Sequence, residues 1–192
     1  MIVISNPTAV PNEITRINQL FSAGLSCLHL RKPHLDAVQL SQLLAKIGLE
    51  NHSKIVLHQH FSLTNYFNIH QIHWNTALRS QLDPSDFKSL SLSTSTHSIA
   101  EFNSLSSDFK KAFISPIYPS ISKANYQVNT NWKLELAKRS NYHTKLIALG
   151  GITPLTIQSL LPDTFDDIAL LGTIWNTEQG YNNFKICQQF AP

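Results

Sequence analysis

Charged residues are scarce in this sequence. Only 14% of its 192 residues are charged, and fifteen basic against twelve acidic residues leave a formal net charge of +3. Soluble proteins ordinarily carry about 25% charged residues. A nucleic-acid-binding domain usually shows clustered Lys and Arg and a pI above about 9, whereas the pI here is 8.9. We therefore expect no nucleic-acid partner.

Cysteines are few and long apolar runs are missing. Cys27 and Cys187 stand far apart, and the chain opens Met-Ile-Val-Ile-Ser without the basic segment of a secretory signal. We expect both thiols to be reduced and buried. No apolar run approaches the roughly 20 residues that a membrane helix needs. The sequence thus predicts a soluble, cytoplasmic protein without a membrane partner, folded as a single domain over residues 1–192.

Short apolar runs of strand length recur along the chain. They are Ile2–Ile4, Cys27–Leu30, Lys54–Leu57, Ile69–His73, Leu90–Thr94, Ala112–Ser115, Leu146–Leu149 and Ile168–Leu171. Apolar residues at helical spacing lie between most of them, at 14–21, 38–47, 132–137 and 157–161. Eight such β–α units predict a compact (β/α)₈ TIM barrel with a parallel sheet. The connections 58–69 and 74–90 are too short or broken for long helices, so the third and fourth helical units should be degenerate.

Capping residues mark several helix starts. Asn12, Asp36 and Thr130 precede helical stretches, and Thr153 stands before a first-turn proline. These positions follow strand ends closely, which agrees with strands and helices that alternate along the chain.

Polar residues follow several strands at the end where a barrel places its active site. The second strand exits as His29-Leu30-Arg31-Lys32, and two cations at the rim predict an anion site, with a solvated charged loop as the alternative. The sixth strand leads to two hydroxyls and an ammonium group that could wrap a phosphate: Ser120, Ser122 and Lys123. The seventh and eighth strands lead to glycine turns whose N–H groups could bind phosphate, or which merely turn the chain: Gly150-Gly151 and Gly172-Thr173.

Histidines also occur at strand ends. The third strand leads into His58-Gln59-His60, and the two imidazoles are expected on one face. With His73 and His97 they could hold a transition metal such as zinc. No carboxylate stands at a strand end facing them, so hydrogen-bonding histidines at the rim are the alternative.

Six stretches, in register over nearly the whole chain, resemble the thiamine phosphate synthase superfamily, which includes the thiazole tautomerases. They are His29–Lys32, Ile72–Trp74, Ser95–Ser98, Pro116–Lys123, Ala148–Ile152 and Leu170–Ile174. The resemblance implies a barrel, usually dimeric, that joins hydroxymethylpyrimidine diphosphate to a thiazole phosphate and releases diphosphate. Its partners would be these phosphorylated small molecules.

The resemblance also implies roles for individual residues. Four would be catalytic, by binding diphosphate or supplying charge: Arg31, Lys32, Ser95 and Lys123. The other residues would bind substrate. The glycines and Thr173 would do so by contacting the phosphate group of the thiazole. The full set is His29, His58, His60, His73, Ser120, Ser122, Gly150, Gly151, Gly172 and Thr173.

The sequence departs from the family at the expected Mg²⁺ site. The family's Asn-Asp pair after strand three is replaced by His58-Gln59 or Gln59-His60, and no carboxylate follows strand four before Asp83. Because Mg²⁺ prefers oxygen ligands, the metal ligands stay unassigned. The catalytic histidine of the tautomerases is also missing at Ser115-Pro116. Three hypotheses remain: a synthase with altered metal dependence, a tautomerase-like or non-catalytic thiazole-phosphate binder, and a zinc hydrolase.

Overall fold

The computed structural model describes residues 1–119, 131–160 and 164–191. Its strands are β1 (Ile2–Ile4), β2 (Cys27–Leu30), β3 (Ile55–Leu57), β4 (Gln71–Trp74), β5 (Ser91–Thr96), β6 (Phe109–Ile114), β7 (Lys145–Leu149) and β8 (Asp167–Leu170). Each strand pairs in parallel with the next, and β8 pairs with β1 to close the barrel. The predicted (β/α)₈ barrel is confirmed. The largest difference is at β6, which begins three residues before the predicted Ala112.

Helices cover the outside of the barrel. They are α1 (Glu13–Ser22), α2 (Ala37–Leu44), α3 (Thr76–Arg79), α4 (Ile99–Asn103), α5 (Trp132–Leu136), α6 (Gly172–Trp175) and α7 (Gly180–Phe190), with 3₁₀ turns at Leu49–Lys54, Phe61–Asn65, Pro84–Phe87 and Ile157–Ser159. Only a 3₁₀ turn follows β3, and a four-residue helix and a 3₁₀ turn follow β4. The degenerate third and fourth units are thus confirmed.

The predicted caps differ in outcome. Asp36 forms a capping box on α2, in which its Oδ1 accepts from Gln39 N at 2.8 Å and Gln39 Oε1 accepts from Asp36 N at 3.1 Å. Asn12 precedes α1 with a left-handed backbone, φ 56°, and its side chain makes no capping bond. Asn12 does mark the start of α1 at Glu13, as predicted, but its left-handed backbone is not the extended one from which a side chain caps a helix.

The other two predicted caps contribute less. Thr153 Oγ1 accepts from Thr156 N at 3.2 Å, and this turn leads only into the short 3₁₀ helix at Ile157–Ser159. Thr130 lies outside the described residues, and Asn131 caps α5 with its side chain.

The barrel interior changes character along its axis. Side chains alternate in and out along each strand, and the inward ones form an apolar cluster of Ile2, Ile4, Cys27, Val56, Phe113, Ile147 and Ala169. Two residues further along β2 and β3, the inward positions are His29 and His58. On β2 to β5 the interior therefore becomes polar towards the carboxyl end of the sheet.

Both cysteines are buried and unpaired, as predicted. Burial raises the pKa of the Cys27 and Cys187 thiols to about 11, so they are poor nucleophiles at neutral pH. No helix in the described ranges has the length and apolar character to cross a membrane.

Candidate functional site

Three histidines from adjacent strands meet inside the barrel. His29 lies in β2, His58 directly follows β3 and His73 lies in β4. His29 Nδ1 is 3.0 Å from His58 Nε2, and the rings of His58 and His73 stack with centroids 4.3 Å apart. His29 and His73 are buried, and His58 is half-buried. We call these three residues the histidine cluster.

Phe113 closes the histidine cluster from the side of β6. Its ring centroid is 4.8 Å from that of His29 and 5.2 Å from that of His73. An aromatic ring excludes water and offers no charge to the imidazoles. The histidine cluster therefore has an apolar environment on the side that faces β6.

Two serines of β5 orient His73. Ser93 Oγ donates to the Ile72 carbonyl at 3.1 Å, so it accepts from His73 Nδ1 at 3.0 Å. With its proton on Nδ1, a neutral imidazole accepts at Nε2, and Ser95 Oγ donates to that nitrogen at 3.0 Å. The serines thus select one tautomer and hold the ring between them.

The histidine cluster is electrically neutral. Burial lowers the pKa of all three imidazoles well below the ordinary 6.5, and for His73 to about 3. Nearby positive charge adds to this effect, since Arg31 lowers the pKa of both His58 and His73. At neutral pH the cluster therefore offers lone pairs and N–H groups, not positive charge.

Arg31 supplies a positive charge beside the histidine cluster. Its backbone is fixed by Ser5, whose Oγ accepts from Arg31 N at 2.8 Å and donates to Arg31 O at 3.1 Å. Its side chain is exposed, and within 1–119, 131–160 and 164–191 no carboxylate pairs with the guanidinium. The guanidinium is available for an anionic ligand.

Lys32 is not a second free cation. It is 2% exposed, and its Nζ lies 2.6 and 2.7 Å from the two carboxylate oxygens of Glu13 and 3.0 Å from the Thr8 carbonyl. Lys32 is thus engaged within the fold, and its predicted catalytic role stays a prediction. Its side chain is buried against the loop after β1 and joins the β2 loop to α1.

His58 and His60 do not share a face. Strand β3 ends at Leu57, and His60 adopts a left-handed backbone with φ 53° that turns its ring out to within 2.8 Å of the Leu35 carbonyl. His97 likewise bonds the Ser115 carbonyl through Nδ1 at 3.0 Å. Neither joins His58, so the predicted placement of His60 beside His58 is wrong.

The glycine pair after β7 packs against the loop after β6. Gly150 and Gly151 have φ of +100° and +66°. A Cβ on Gly151 would lie 2.6 Å from Tyr118 Cβ, and one on Gly150 would lie 2.9 Å from Pro116 Cα. Close packing therefore requires both glycines, whereas their predicted contact with phosphate stays a prediction.

The remaining predicted phosphate contacts are untested by the structure. Gly172 and Thr173 begin α6, and the buried Thr173 accepts from Asn183 Nδ2 through its carbonyl at 2.9 Å. Ser120, Ser122 and Lys123 lie outside the described residues.

The donors at this site do not fit Mg²⁺. Mg²⁺ takes oxygen ligands in octahedral geometry, whereas the histidine cluster presents nitrogens. The nearby carboxylates are engaged elsewhere, Glu13 with Lys32 and Glu101 with Arg79. In the part of the chain that the structure describes, no carboxylate faces the cluster to hold Mg²⁺ as the family does.

Two contributors to the site escaped the sequence analysis. Ser93 precedes Ser95 by two positions on β5, so strand alternation alone places both hydroxyls inside the barrel. Arg79 ends α3 and pairs with Glu101, and its charge contributes to the lowered pKa of His73. No motif marks Arg79, because its position depends on the length of the degenerate fourth unit.

Comparisons with known proteins agree with this architecture. Residues 1–174 match the model of the thiamine monophosphate synthase family. The crystal structure of a thiamine phosphate pyrophosphorylase from Bacteroides thetaiotaomicron is 31% identical with a TM-score of 0.79, over 99% of this chain and 96% of that one. A thiamine phosphate pyrophosphorylase from Pyrococcus furiosus has a TM-score of 0.78 at 11% identity, over 98% and 93% of the two chains, and shows the fold alone. No curated protein matches the sequence.

Proposed function

The chain belongs to the thiamine monophosphate synthase family, a family of thiamine biosynthesis, and from this premise we propose that it joins hydroxymethylpyrimidine diphosphate to a thiazole phosphate. One observation carries the proposal. The guanidinium of Arg31, which pairs with no carboxylate among the described residues, lies beside the neutral histidine cluster, close enough to affect the pKa of His58 and His73. This arrangement suits a substrate whose anionic leaving group departs beside the Arg31 guanidinium.

In the proposed reaction, the bond between the pyrimidine's carbinyl carbon and the diphosphate oxygen breaks first. Diphosphate leaves with the electron pair, and a pyrimidine carbocation remains. The thiazole nitrogen then donates its lone pair to that carbon, which forms the new C–N bond of thiamine phosphate. Arg31 stabilises the negative charge that develops on the departing oxygen, the kind of fixed charge that contributes most to such catalysis.

The proposal is tested by single-turnover formation of thiamine phosphate from the two substrates, with the enzyme in excess. Parallel reactions contain Mg²⁺ or a chelator. We expect product in both, with a rate difference below about tenfold, since the described donors do not fit Mg²⁺. If calorimetry shows that thiazole phosphate binds but no product forms, the chain is a thiazole-phosphate binder and the proposal fails.

Arg31→Gln tests the role given to the guanidinium. We expect its single-turnover rate to fall by about 100-fold or more, as when one preorganised donor is removed from a developing anion, with thiazole-phosphate affinity nearly unchanged. Lys138→Gln is the matched control, because Lys138 is an exposed cation whose ion pair is with Glu135. Equal losses in turnover and in thiazole-phosphate binding would contradict the role of Arg31. The homodimer that the resemblance implies and the cytoplasmic location that the sequence predicts stay predictions.

A further inference from the structure

We propose that His29, His58 and His73 form a binding site for one divalent transition-metal ion of the Zn²⁺ class. The proposal concerns metal binding and does not rest on the proposed function. It is carried by the geometry of the histidine cluster and by an unpartnered nitrogen within it.

The three imidazoles are placed to converge on one ion. Each offers one ring nitrogen, and these nitrogens all lie within 4.8 Å of one another. Tetrahedral Zn²⁺ with Zn–N bonds of about 2.0–2.1 Å places its ligand nitrogens about 3.4 Å apart. Small rotations of the rings would bring nitrogens that lie at most 4.8 Å apart to this spacing. His58 lies just past the end of β3, where its ring can turn towards the other two.

His29 carries a nitrogen that lacks a partner. Its Nε2 is fully buried and, among the described residues, has no hydrogen-bond partner. Buried polar atoms are rarely left in this state, and an unplaced ion is one of the ordinary explanations. The other nitrogen of the ring already faces His58. A metal ion bound at Nε2 would give the ring the partner it lacks, while Nδ1 stays towards His58.

His73 is prepared for ligation by its serines. Its Nδ1–H donates to Ser93, which leaves the Nε2 lone pair pointing towards the Ser95 hydroxyl. A metal ion would replace the hydroxyl proton at Nε2, while the bond to Ser93 would continue to fix the tautomer and the ring orientation. Metal-ligating histidines characteristically donate their second nitrogen in this way.

The donor set selects the class of metal. Three neutral imidazoles suit Zn²⁺, Co²⁺, Ni²⁺ or Cu²⁺ far better than Mg²⁺ or Ca²⁺. Three protein ligands also leave a fourth position open, as in catalytic zinc sites. With Arg31 nearby, that position would accept water or an anionic oxygen.

The test measures metal binding to the full chain, prepared without a histidine tag and stripped with a chelator. Calorimetric titration with Zn²⁺ should give about one equivalent bound with a dissociation constant of about 1 μM or lower. Co²⁺ should produce the visible absorption bands of a tetrahedral complex, and excess Mg²⁺ should not compete. A dissociation constant for Zn²⁺ above about 1 mM would overturn the proposal.

Variants then locate the ion. His29→Gln and His73→Gln should each weaken Zn²⁺ binding by at least about tenfold. His60→Gln is the matched control, because His60 follows the same strand as His58 but points away from it. Unchanged affinity in both cluster variants would overturn the proposal, as would a loss in His60→Gln alone.

A thermal measurement on the unmutated chain guards against variants that fail to fold. Saturating Zn²⁺ should raise the melting temperature, because an ion that binds the folded chain stabilises it by mass action. No shift at saturating Zn²⁺ would contradict a preformed site. Since neither readout is product formation, failure of the metal site and failure of the proposed synthase activity remain distinguishable.

Discussion

The barrel interior has two unlike halves near its mouth. Strands β2 to β5, the polar half, turn imidazoles and hydroxyls inwards: His29, His58, His73, Ser93 and Ser95. Strands β6 to β8 and β1, the apolar half, turn in Phe113, Ile147, Ala169 and Ile4. Inward positions of the apolar half thus hold side chains that pack by dispersion contacts. Inward positions of the polar half hold hydrogen-bonded, neutral side chains. Only the polar half should respond to protons and ions.

The rims of the two halves differ in the same way. The polar half is bordered by Arg31 and by the buried pair of Lys32 with Glu13. The apolar half is bordered by the turn at Gly150 and Gly151, where packing against Tyr118 and Pro116 sets the chain path. Ionic interactions stabilise the polar rim, and close steric packing stabilises the apolar rim. Substitutions on the two rims should therefore destabilise the fold for different reasons.

Lys32→Met should give the largest effect. It leaves the Glu13 carboxylate buried at 7% exposure without its cation, and breaking one side of a buried ion pair costs about 3–5 kcal/mol. Urea unfolding measures the loss. The double variant Glu13→Leu/Lys32→Met should recover much of it, since an apolar pair of similar volume leaves no buried charge. A single variant as stable as the unmutated chain would show that Lys32 does not hold the polar rim.

Acid should destabilise the polar half. The pKa values of its histidines lie below 6.5 in the folded chain, with that of His73 at about 3. Below pH 6.5 the unfolded chain therefore binds protons that the folded chain does not. Stability is complete above about pH 6.5 and falls towards pH 3, by up to about 1.4 kcal/mol per pH unit for each histidine.

His73→Gln tests this pH dependence. It should reduce the acid slope by about 1.4 kcal/mol per pH unit, measured by urea unfolding at a series of pH values with chelator present. His60→Gln should leave the slope unchanged, since the His60 ring points away from the cluster. If the dependence of the unfolding free energy on pH is the same in His73→Gln as in the unmutated chain, His73 does not cause the loss of stability in acid.

Gly150→Ala should destabilise the apolar rim by more than about 1 kcal/mol, because the position has φ +100° and the added Cβ would lie 2.9 Å from Pro116 Cα. The cause is steric, so the loss should be the same at pH 7 and pH 5. Urea unfolding at the two pH values checks this. A loss that grows on acidification would mean that the two halves are coupled.

Arg31→Gln should have the smallest effect on stability, within about 0.5 kcal/mol. Its side chain is exposed and its backbone is held by Ser5 whichever side chain is present. Urea unfolding of this variant, beside that of Lys32→Met, contrasts two adjacent cations of one loop. A decrease of more than about 1 kcal/mol in the free energy of unfolding would show that the guanidinium stabilises the fold, and would contradict its assignment to ligand binding alone.

Sequence patterns located the barrel well because its determinants are local. Apolar runs such as Ile55–Leu57 are strands in the structure, and the capping box of Asp36 depends on residues three apart. The inward positions of His29 and His73 follow from the two-residue period of a strand. The position of Arg31, two residues after His29 and just past β2, follows from the same period.

The features that the sequence did not reveal depend on distant partners or on exact strand ends. Lys32 is paired with Glu13, nineteen residues away on another element, and no local pattern distinguishes it from Arg31. His60 departs from His58 because β3 stops at Leu57 and the backbone then becomes left-handed. A one-residue shift in a predicted strand end reverses such an assignment.

The seam between β1 and β8 has a consequence for the order in which the chain folds during synthesis. Ile2 pairs with Ala169, and Trp175 Nε1 donates to the Ile4 carbonyl across 171 positions at 2.7 Å. Until residues 167–175 leave the ribosome, β1 has one exposed edge and the barrel is an open sheet. Closure of the barrel is thus a late event, because it depends on contacts between residues far apart in the sequence. Such contacts form slowly. The nascent chain is most exposed to edge-to-edge aggregation just before its last strand appears.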